Sequence, residues 1–563
     1  MSSPLRPADW WRDAVVYQVY PRSFQDSDGD GVGDLPGITS RLDHLALLGV
    51  DVLWLSPVYR SPMDDNGYDI SDYEDIDPLF GTLADLDVLI AGCHERGIRV
   101  VMDLVVNHTS DEHPWFVESR DPASPRRDWY WWRPPRDGGA PTNWESVFGG
   151  SAWEYDERSG EYYLHLFSRK QPDLNWENPE VRAAVHAMMR RWVERGVDGF
   201  RMDVIDLISK DVSLPDGEPV DERGLAPARG VADGPRLHEF LAEMNREVGL
   251  REQHLLTVGE MPSSTVALAR DVTDPARREL DMVFTFQHVG LDERRGEGKW
   301  ALRDLPLPEL KTTLAAWQEG LADVGWNSLY WDNHDQPRAV SRFGDDSPEH
   351  RVASAKTLAT VLHLHRGTPY VYQGEELGMT NAGFTRIDQY VDLESRHHFR
   401  DAVAAGQPEA EVLRALAAKG RDNARTPMQW DAGEHAGFTT GTPWLPANAN
   451  RDVINAEAAV ADPDSVLHHY RRLIELRHRD PVVVDGRFEL LLPEHAQVWA
   501  FTRSLEGVLL VLANCSSEPV TVGSGAVPEL TGSEVLLPTH PPPYGVTLRP
   551  WESRIHRIRG SSA

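Results

Sequence analysis

Four acidic residues stand at or near the ends of β-rich runs in the sequence: Asp103, Asp203, Glu260 and Asp335. A carboxylate that follows buried apolar sequence is costly unless it is paired or used in chemistry. Any one of them alone could cap the next helix or pair with a nearby arginine. Several of them on one rim, with His108 and His334 beside them, instead indicate a reactive site.

Two of these carboxyl groups have surroundings that suit different roles. Asp203 follows Arg201 by two residues on the same strand face, and a cation there favours the ionised form that a nucleophile needs. Glu260 follows the apolar run LLTVG, where partial desolvation favours the protonated form that a general acid needs. Glycoside hydrolysis requires such a pair of carboxyl groups in different protonation states.

The elements that must position these residues alternate regularly. Short β-rich runs and amphipathic helices follow one another through eight strand–helix pairs, which is typical of a parallel α/β fold. We interpret the pattern as a (β/α)₈ TIM barrel, with an open eight-stranded sheet as the alternative. In a barrel, the carboxyl ends of the strands share one rim, so the four acidic residues would meet there.

Two segments depart from this rhythm. Residues 105–174 are rich in Trp, Pro and Gly and predict a subdomain inserted after the third strand, so the barrel consists of residues 1–104 and 175–480. Residues 481–563 contain short β-rich runs without helices, which predict a C-terminal antiparallel β-sandwich domain.

Composition excludes several classes of function. A formal net charge of −32 argues against a nucleic-acid partner, because phosphates require Lys and Arg. The chain has no run of about 18 apolar residues and no signal-peptide pattern at its start, so we expect a cytoplasmic protein without a membrane partner. Two cysteines, Cys93 and Cys515, are too few for a disulfide framework. We expect a monomer or a small homo-oligomer without an organic cofactor.

Four short motifs resemble a known family. DLVVNH (103–108), GFRMDV (199–204), TVGE (257–260) and NHD (333–335) are similar, in this order, to the signature stretches of the α-amylase superfamily, glycoside hydrolase family 13. QPDLNW (171–176) resembles a fifth stretch, found in its oligo-1,6-glucosidase and α-glucosidase branch. The likeness covers nearly the whole chain. It implies a retaining, exo-acting α-glucosidase that releases glucose from the non-reducing ends of short α-glucosides and can transfer glucose to another sugar.

The resemblance implies a role for each residue that matches a motif. Asp203 matches the nucleophile, Glu260 the general acid/base, and Asp335 a third carboxylate that binds sugar hydroxyls and helps to distort the ring. Arg201 matches the arginine that keeps the nucleophile charged.

Further matches imply a set of residues around the terminal glucose: Asp65, Tyr68, His108, His334 and Arg421. Tyr68 would lie beneath the sugar ring, and the two histidines would bind its hydroxyls. Asp65 and Arg421 would close the pocket, with Arg425 in the same motif as the alternative to Arg421.

Val204 follows the nucleophile directly, and the resemblance associates Val at this position with α-1,6 preference. Ser263 lies where the 1,6-specific relatives tend to have Gly, so 1,3 or 1,2 linkages, or a weaker 1,6 preference, stay open. The alternative is therefore an α-glucosidase that prefers α-1,4, α-1,3 or α-1,2 linkages. A Val that merely packs at a strand end is the simpler interpretation.

An acidic loop predicts a metal site. Asp26, Asp28, Asp30 and Asp34 surround three glycines, and hard cations such as Ca²⁺ or Mg²⁺ prefer several oxygen ligands in a tight turn. The resemblance implies that Val32 adds its carbonyl and that the metal is structural. A solvated acidic turn is the alternative.

Three other functions compete with the glucosidase. A sucrose isomerase or transglucosidase on the same scaffold would carry an Arg-rich loop where this chain has GLDERRGEGKW (290–300). A transporter subunit that borrows this barrel would have a membrane helix. A carbohydrate-binding or storage protein would not need three reactive carboxylates.

Overall fold

The computed structural model describes residues 9–219, 224–523 and 525–558. Its centre is a ring of eight parallel strands: β1 (Val16–Val19), β2 (Val52–Leu55), β3 (Arg99–Val105), β4 (Gly199–Asp203), β5 (Leu256–Glu260), β6 (Met282–Phe284), β7 (Ser328–Leu329) and β8 (Thr368–Tyr372). Their order is β6-β5-β4-β3-β2-β1-β8-β7. A parallel bridge between Val283 and Asn327 joins β6 to the start of β7. The predicted (β/α)₈ barrel is therefore confirmed.

Eight helices follow the strands in the connections: α1 (Leu42–Leu48), α2 (Leu83–Glu95), α3 (Pro179–Arg195), α4 (Leu237–Val248), α5 (Val266–Val272), α6 (Leu307–Gly320), α7 (Arg351–His363) and α8 (Val466–Arg479). Local sequence sets their ends. The Thr82 side chain accepts a hydrogen bond from the Asp85 N–H and begins α2. Gly196, at φ 114°, ends α3 in a left-handed conformation that favours glycine.

Further helices lie in the connections or lead into the C-terminal region: Leu35–Ser40, Pro114–Ser119, Ala339–Phe343, Leu393–Ala404, Glu409–Lys419, Asp422–Arg425, Ala456–Ala461 and Pro481–Asp485. Those between β8 and α8 contribute side chains to the rim of the barrel. No helix within the described ranges is long and apolar enough to cross a membrane.

The segment after β3 forms a small structure with its own core. Its strands are Trp132–Arg133, Trp144–Glu145, Trp153–Asp156 and Glu161–Leu164. Trp131, Trp144 and Trp153 pack together with neighbouring apolar residues. Trp144–Glu145 pairs in parallel with Ala226–Pro227 from the β4–α4 connection, so the two long loops are joined above the barrel rim.

The C-terminal region is an antiparallel sheet of β9 (Arg487–Leu491), β10 (Val498–Ser504), β11 (Val508–Asn514) and β12 (Ser553–Ile558), with Glu534–Val535 at its edge. A second pair joins Val520–Thr521 to Thr547–Leu548. The predicted antiparallel domain is present, while the predicted domain boundaries stay predictions.

Candidate active site

Three carboxylates at or near the ends of β3, β4 and β5 converge on one arginine. Arg201 Nη1 donates to Asp103 Oδ1 at 2.6 Å and to Asp203 Oδ1 at 2.8 Å. Its Nη2 lies 2.6 Å from Glu260 Oε1. Arg201 and Asp203 are two residues apart and share a strand face, and Arg201 is in register with Asp103 on the neighbouring strand. We call these four residues the Arg201 cluster.

The pKa of Asp203 within the Arg201 cluster differs from the one expected from the sequence. Burial and the Glu260 carboxylate raise the pKa of Asp203 well above its usual value, and Arg201 only opposes this shift. Burial likewise raises the pKa of Asp103 to about 6 against the pull of Arg201. The prediction that Arg201 keeps Asp203 ionised is therefore wrong for the free site, because one buried guanidinium is shared among three carboxyl groups.

The residue after Asp203 joins two strand ends. Val204 has φ 36°, a left-handed conformation that is unusual for a β-branched residue. Its N–H donates to Glu260 Oε2 at 3.1 Å, so this backbone conformation orients Glu260. The Ser263 N–H contacts Asp206 Oδ2 at 3.3 Å and links the same two loops once more. Val204 and Ser263 both line the cavity described below.

Asp335 lies beyond the end of β7 and is surrounded by donors. Arg425 Nη2 donates to its Oδ1 at 2.6 Å and Arg421 Nη1 at 3.3 Å. His334 Nε2 lies 3.2 Å from its Oδ2. Burial alone would raise the pKa of Asp335, but His334 and the two guanidinium groups hold it well below its usual value. Asp335 therefore stays ionised where Asp203 resists ionisation.

The two predicted histidines are held in place as neutral rings. His334 stacks on Tyr68, with ring centroids 5.2 Å apart, and its Nδ1 lies 2.8 Å from Gln18 Nε2. His108 Nε2 lies 3.1 Å from the Tyr68 carbonyl oxygen and 3.2 Å from Gln171 Nε2. Burial lowers the pKa of His334 to about 3 and that of His108 to about 4.

Asp65 and Arg421 meet as the sequence suggested. Arg421 Nη2 donates to Asp65 Oδ1 at 3.2 Å and also lies 2.6 Å from Asp392 Oδ1. Burial raises the pKa of Asp65 to about 6, and Arg421 opposes this shift. Arg421 lines the cavity, whereas Arg425, the alternative, is 1% exposed and donates to the His334 carbonyl behind it.

A cavity of about 860 Å³ brings most of the predicted residues together. It is lined by Asp65, Tyr68, His108, Asp203, Val204, Glu260, Asp335 and Arg421, while Arg201 and His334 support its floor from behind. Its size lies within the range of small-molecule sites.

Sequence reasoning missed two further parts of the cavity lining. An apolar wall includes Val231, Phe286 and Val289, and a charged mouth includes Glu293, Lys299, Glu394 and Lys419. The wall residues resemble ordinary core in the sequence. The charged residues come from two distant segments, and no motif joins them.

The acidic loop lies outside this cavity. A carboxylate oxygen of each of Asp26, Asp28 and Asp34 lies within 4.8 Å of the others, a spacing that fits one cation, and Asp30 is not part of this group. Gly31, at φ 96°, passes so close to Thr442 that an added Cβ would lie 1.9 Å from its carbonyl oxygen. The loop is thus fixed by backbone packing as well as by its carboxylates.

The barrel and the carboxylates at its rim define the class of protein. The chain matches the family model "Alpha amylase, catalytic domain" over residues 18–486, and it belongs to this family of glycoside hydrolases. It is similar to the oligo-1,6-glucosidase of Parageobacillus thermoglucosidasius, with 54% identity over 98% of this chain and 99% of that protein. It is also 50% identical to the trehalose-6-phosphate hydrolase of Bacillus subtilis, over 98% of both chains.

Among solved structures, isomaltulose synthase from Klebsiella sp. LX3 superposes with a TM-score of 0.93 at 41% identity, over 98% of this chain and 99% of that one. The names of these relatives refer to different substrates and products. Family membership therefore leaves the substrate to be inferred from the site.

Proposed function

We propose that this chain is a retaining, exo-acting α-glucosidase that releases glucose from the non-reducing ends of short α-glucosides, isomalto-oligosaccharides among them. The observation that carries the proposal is the Arg201 cluster at the floor of a cavity bordered by Asp65 and Arg421. Sharing one guanidinium keeps Asp203 and Glu260 close. This suits the separation of about 5–5.5 Å in retaining enzymes better than the roughly 6.5–9.5 Å of inverting ones.

In the first step, Asp203 attacks the anomeric carbon while Glu260 transfers its proton to the leaving oxygen. The glycosidic bond breaks, the leaving sugar departs as an alcohol, and glucose becomes linked to Asp203 as an ester. In the second step, the Glu260 carboxylate takes a proton from water, the water oxygen attacks the anomeric carbon, and Asp203 is released. Another sugar hydroxyl can replace water, so the same intermediate supports transglucosylation.

The Arg201 cluster also orients the general acid. Two buried carboxyl groups beside one arginine do not both ionise easily, and burial together with Glu260 raises the pKa of Asp203. The first step requires a proton on Glu260, and the Val204 N–H and Arg201 fix the orientation of the Glu260 carboxyl group.

The remaining side chains suit binding of the terminal glucose. Asp335 stays charged and can accept hydrogen bonds from sugar hydroxyls, while neutral His108 and His334 can donate or accept them. Tyr68 is held at the cavity floor, where it stacks against His334. The Asp65–Arg421 pair blocks extension beyond this sugar, which favours release of single glucose units.

A panel of substrates tests the proposal. Glucose release from isomaltose, maltose, nigerose, kojibiose, trehalose and sucrose should be measured with the native enzyme and with Asp203→Asn. We expect isomaltose hydrolysis that Asp203→Asn abolishes. Release of internal fragments from long chains without glucose would contradict the exo-acting proposal.

A sucrose isomerase is the second candidate, favoured by the similarity to isomaltulose synthase. In this chain Arg294 and Arg295 of the 290–300 loop are exposed, Arg294 pairs with Glu297 at 3.2 Å, and neither arginine lines the cavity. This arrangement supports hydrolysis. Product analysis with sucrose decides: glucose and fructose support the hydrolase, and isomeric disaccharides support the isomerase.

We also propose that the acidic loop binds a structural Ca²⁺ or Mg²⁺. Asp26, Asp28 and Asp34 would supply carboxylate oxygens, with Asp30 and the Val32 carbonyl as further ligands from the sequence pattern. The metal would stabilise the β1–α1 loop and take no part in catalysis.

Two further expectations stay predictions. One is a cytoplasmic location, which the free thiols of Cys93 and Cys515 support. The other is that the protein is a monomer or a small homo-oligomer.

A further inference from the structure

The mouth of the cavity is built from ion pairs between two segments. Lys299 Nζ donates to Glu394 Oε2 at 2.6 Å. Lys419 Nζ donates to Asp292 Oδ1 at 2.7 Å and to Glu293 Oε1 at 2.9 Å. We call these five residues the mouth cluster.

Four members of the mouth cluster are more exposed to solvent than Asp203 and Glu260, and the fifth, Lys419, is buried. The side chains of Glu293 and Lys299 are 27% and 24% exposed, against 10% for Asp203 and 5% for Glu260. Because Glu293, Lys299, Glu394 and Lys419 line the same cavity as Glu260, a substrate bound there is close to their charges.

Each basic residue in the described lining of the cavity forms an ion pair with a carboxylate. Lys299, Lys419 and Arg421 are the basic residues in its described lining, and each is bound to at least one carboxylate. Against these three stand seven lining carboxyl groups: Asp65, Glu145, Asp203, Glu260, Glu293, Asp335 and Glu394. The whole chain adds a formal net charge of −32, which repels anions at longer range.

We propose that the mouth cluster selects uncharged α-glucosides and rejects phosphorylated ones. This inference rests on the proposed α-glucosidase activity and names the substrate class of that site. It separates this chain from the relative named trehalose-6-phosphate hydrolase, despite 50% identity.

The physical reason is that carboxylates already compensate each lysine. A phosphate monoester carries about −1.5 to −2 charges at pH 7 and is normally bound by Arg, Lys or backbone N–H groups. A phosphate that approached Lys299 would also face Glu394, and one that approached Lys419 would also face Glu293. The repulsion from these carboxylates would offset the attraction of the lysines.

A matched pair of substrates tests the charge alone. 4-Carbamoylphenyl and 4-carboxyphenyl α-D-glucosides have nearly the same shape and differ by one negative charge. We expect kcat/KM for the neutral glucoside to exceed that for the anionic one by about 10-fold or more at low ionic strength. Because salt screens repulsion, the ratio should shrink as NaCl is raised to about 0.5 M, which a mere difference in leaving-group ability would not do.

Two variants test whether the mouth cluster causes the difference in kcat/KM between the neutral and the anionic glucoside. Glu394→Gln and Glu293→Gln each remove one negative charge and leave a lysine less compensated. Each variant should lower the ratio of kcat/KM for the neutral glucoside over the anionic one by about 3-fold or more. Glu297→Gln, in the same loop but exposed, paired with Arg294 and outside the cavity lining, should leave the ratio unchanged.

Trehalose and trehalose 6-phosphate provide a second comparison. The native enzyme should cleave the phosphate more slowly than trehalose, and either more slowly than isomaltose, when rates are expressed per bond cleaved, since trehalose 6-phosphate yields one glucose and the other two yield two. Equal or better turnover of the anionic glucoside, a rate on it that falls with salt, or a preference for trehalose 6-phosphate over isomaltose would each overturn the inference. Failure to hydrolyse isomaltose and both aryl glucosides would instead overturn the proposed function itself.

Discussion

The Arg201 cluster and the mouth cluster use the same chemical groups in opposite ways. In the Arg201 cluster, three carboxyl groups on barrel strands share one buried guanidinium, so charge is left incompletely compensated and the pKa of Asp203 is raised. In the mouth cluster, two lysines and three carboxylates form ion pairs with one another. They come from the loop that holds Asp292, Glu293 and Lys299 and from the helices Leu393–Ala404 and Glu409–Lys419. The comparison teaches that the barrel strands hold the incompletely compensated, reactive charges, while segments outside the strands determine which substrate charge is accepted.

The largest effect should come from breaking the Arg201 cluster. Asp203→Asn removes the nucleophile and should lower kcat/KM on isomaltose by roughly 10⁴-fold or more. Stopped glucose-release assays measure this, with circular dichroism as the check on folding. Asp211→Asn, half-buried and outside the cavity lining, is the matched control and should retain native rates.

Glu260→Gln tests the second reactive carboxyl group of the Arg201 cluster. Loss of the general acid should cost about 10²- to 10⁴-fold on isomaltose. The loss should be smaller on 4-nitrophenyl α-glucoside, because that leaving group needs little protonation. An equal loss on both substrates would contradict the assignment of Glu260 as the acid.

The Asp65–Arg421 pair stands between the two clusters and should give an intermediate effect. Burial raises the pKa of Asp65 to about 6, so its carboxylate is present above this pH and is lost as the pH falls through it. KM for isomaltose should therefore rise as the pH is lowered from 7.5 to 5. Asp65→Asn should raise KM by about 10- to 100-fold at pH 7.5 and flatten the pH dependence of KM.

Asp64→Asn is the control for that variant, because Asp64 is a neighbour in the same loop but does not line the cavity. A native KM for Asp65→Asn at pH 7.5 would show that the pair does not bind the terminal sugar.

A smaller effect is expected at Val204, where the strand end meets the leaving sugar. Val204→Thr or Val204→Ala should shift the ratio of kcat/KM for maltose over isomaltose upward by about 10-fold, since pocket contacts of this kind are worth about 1–3 kcal/mol. Val212→Ala, exposed and outside the cavity lining, should leave the ratio unchanged. An enzyme that cleaves maltose well and isomaltose not at all would contradict the linkage preference.

The smallest effect on catalysis should come from the acidic loop. Removal of divalent ions with a chelator should lower the Tm, and Ca²⁺ should restore it, because an ion that binds only the folded state stabilises it. The rate of the enzyme that remains folded should change little. Direct metal analysis that finds no bound ion in saturating Ca²⁺ or Mg²⁺ would refute the proposed site.

The contrast between the clusters also explains what the sequence could predict. Asp203 and Glu260 end apolar strands and Asp103 lies two residues before the end of one, and a regular strand–helix alternation predicts that such ends meet on one rim. The pKa of Asp203 was predicted in the wrong direction, because the sequence showed Arg201 near it but not that Glu260 and Asp103 bind the same guanidinium. Glu394 and Lys299 were missed because they are 95 positions apart and meet only after the long loops fold over the rim.

The configuration of the first glucose released tests the central claim most directly. Proton NMR can follow the hydrolysis of 4-nitrophenyl α-glucoside at early times, before the anomers equilibrate, and all the glucose released from this substrate comes from the cleaved bond. Attack by Asp203 and then by water inverts the anomeric carbon twice, so the account predicts that α-glucose forms first and the β-anomer appears only by mutarotation. Initial release of β-glucose would show a single displacement by water and would contradict the role of Asp203 as the nucleophile.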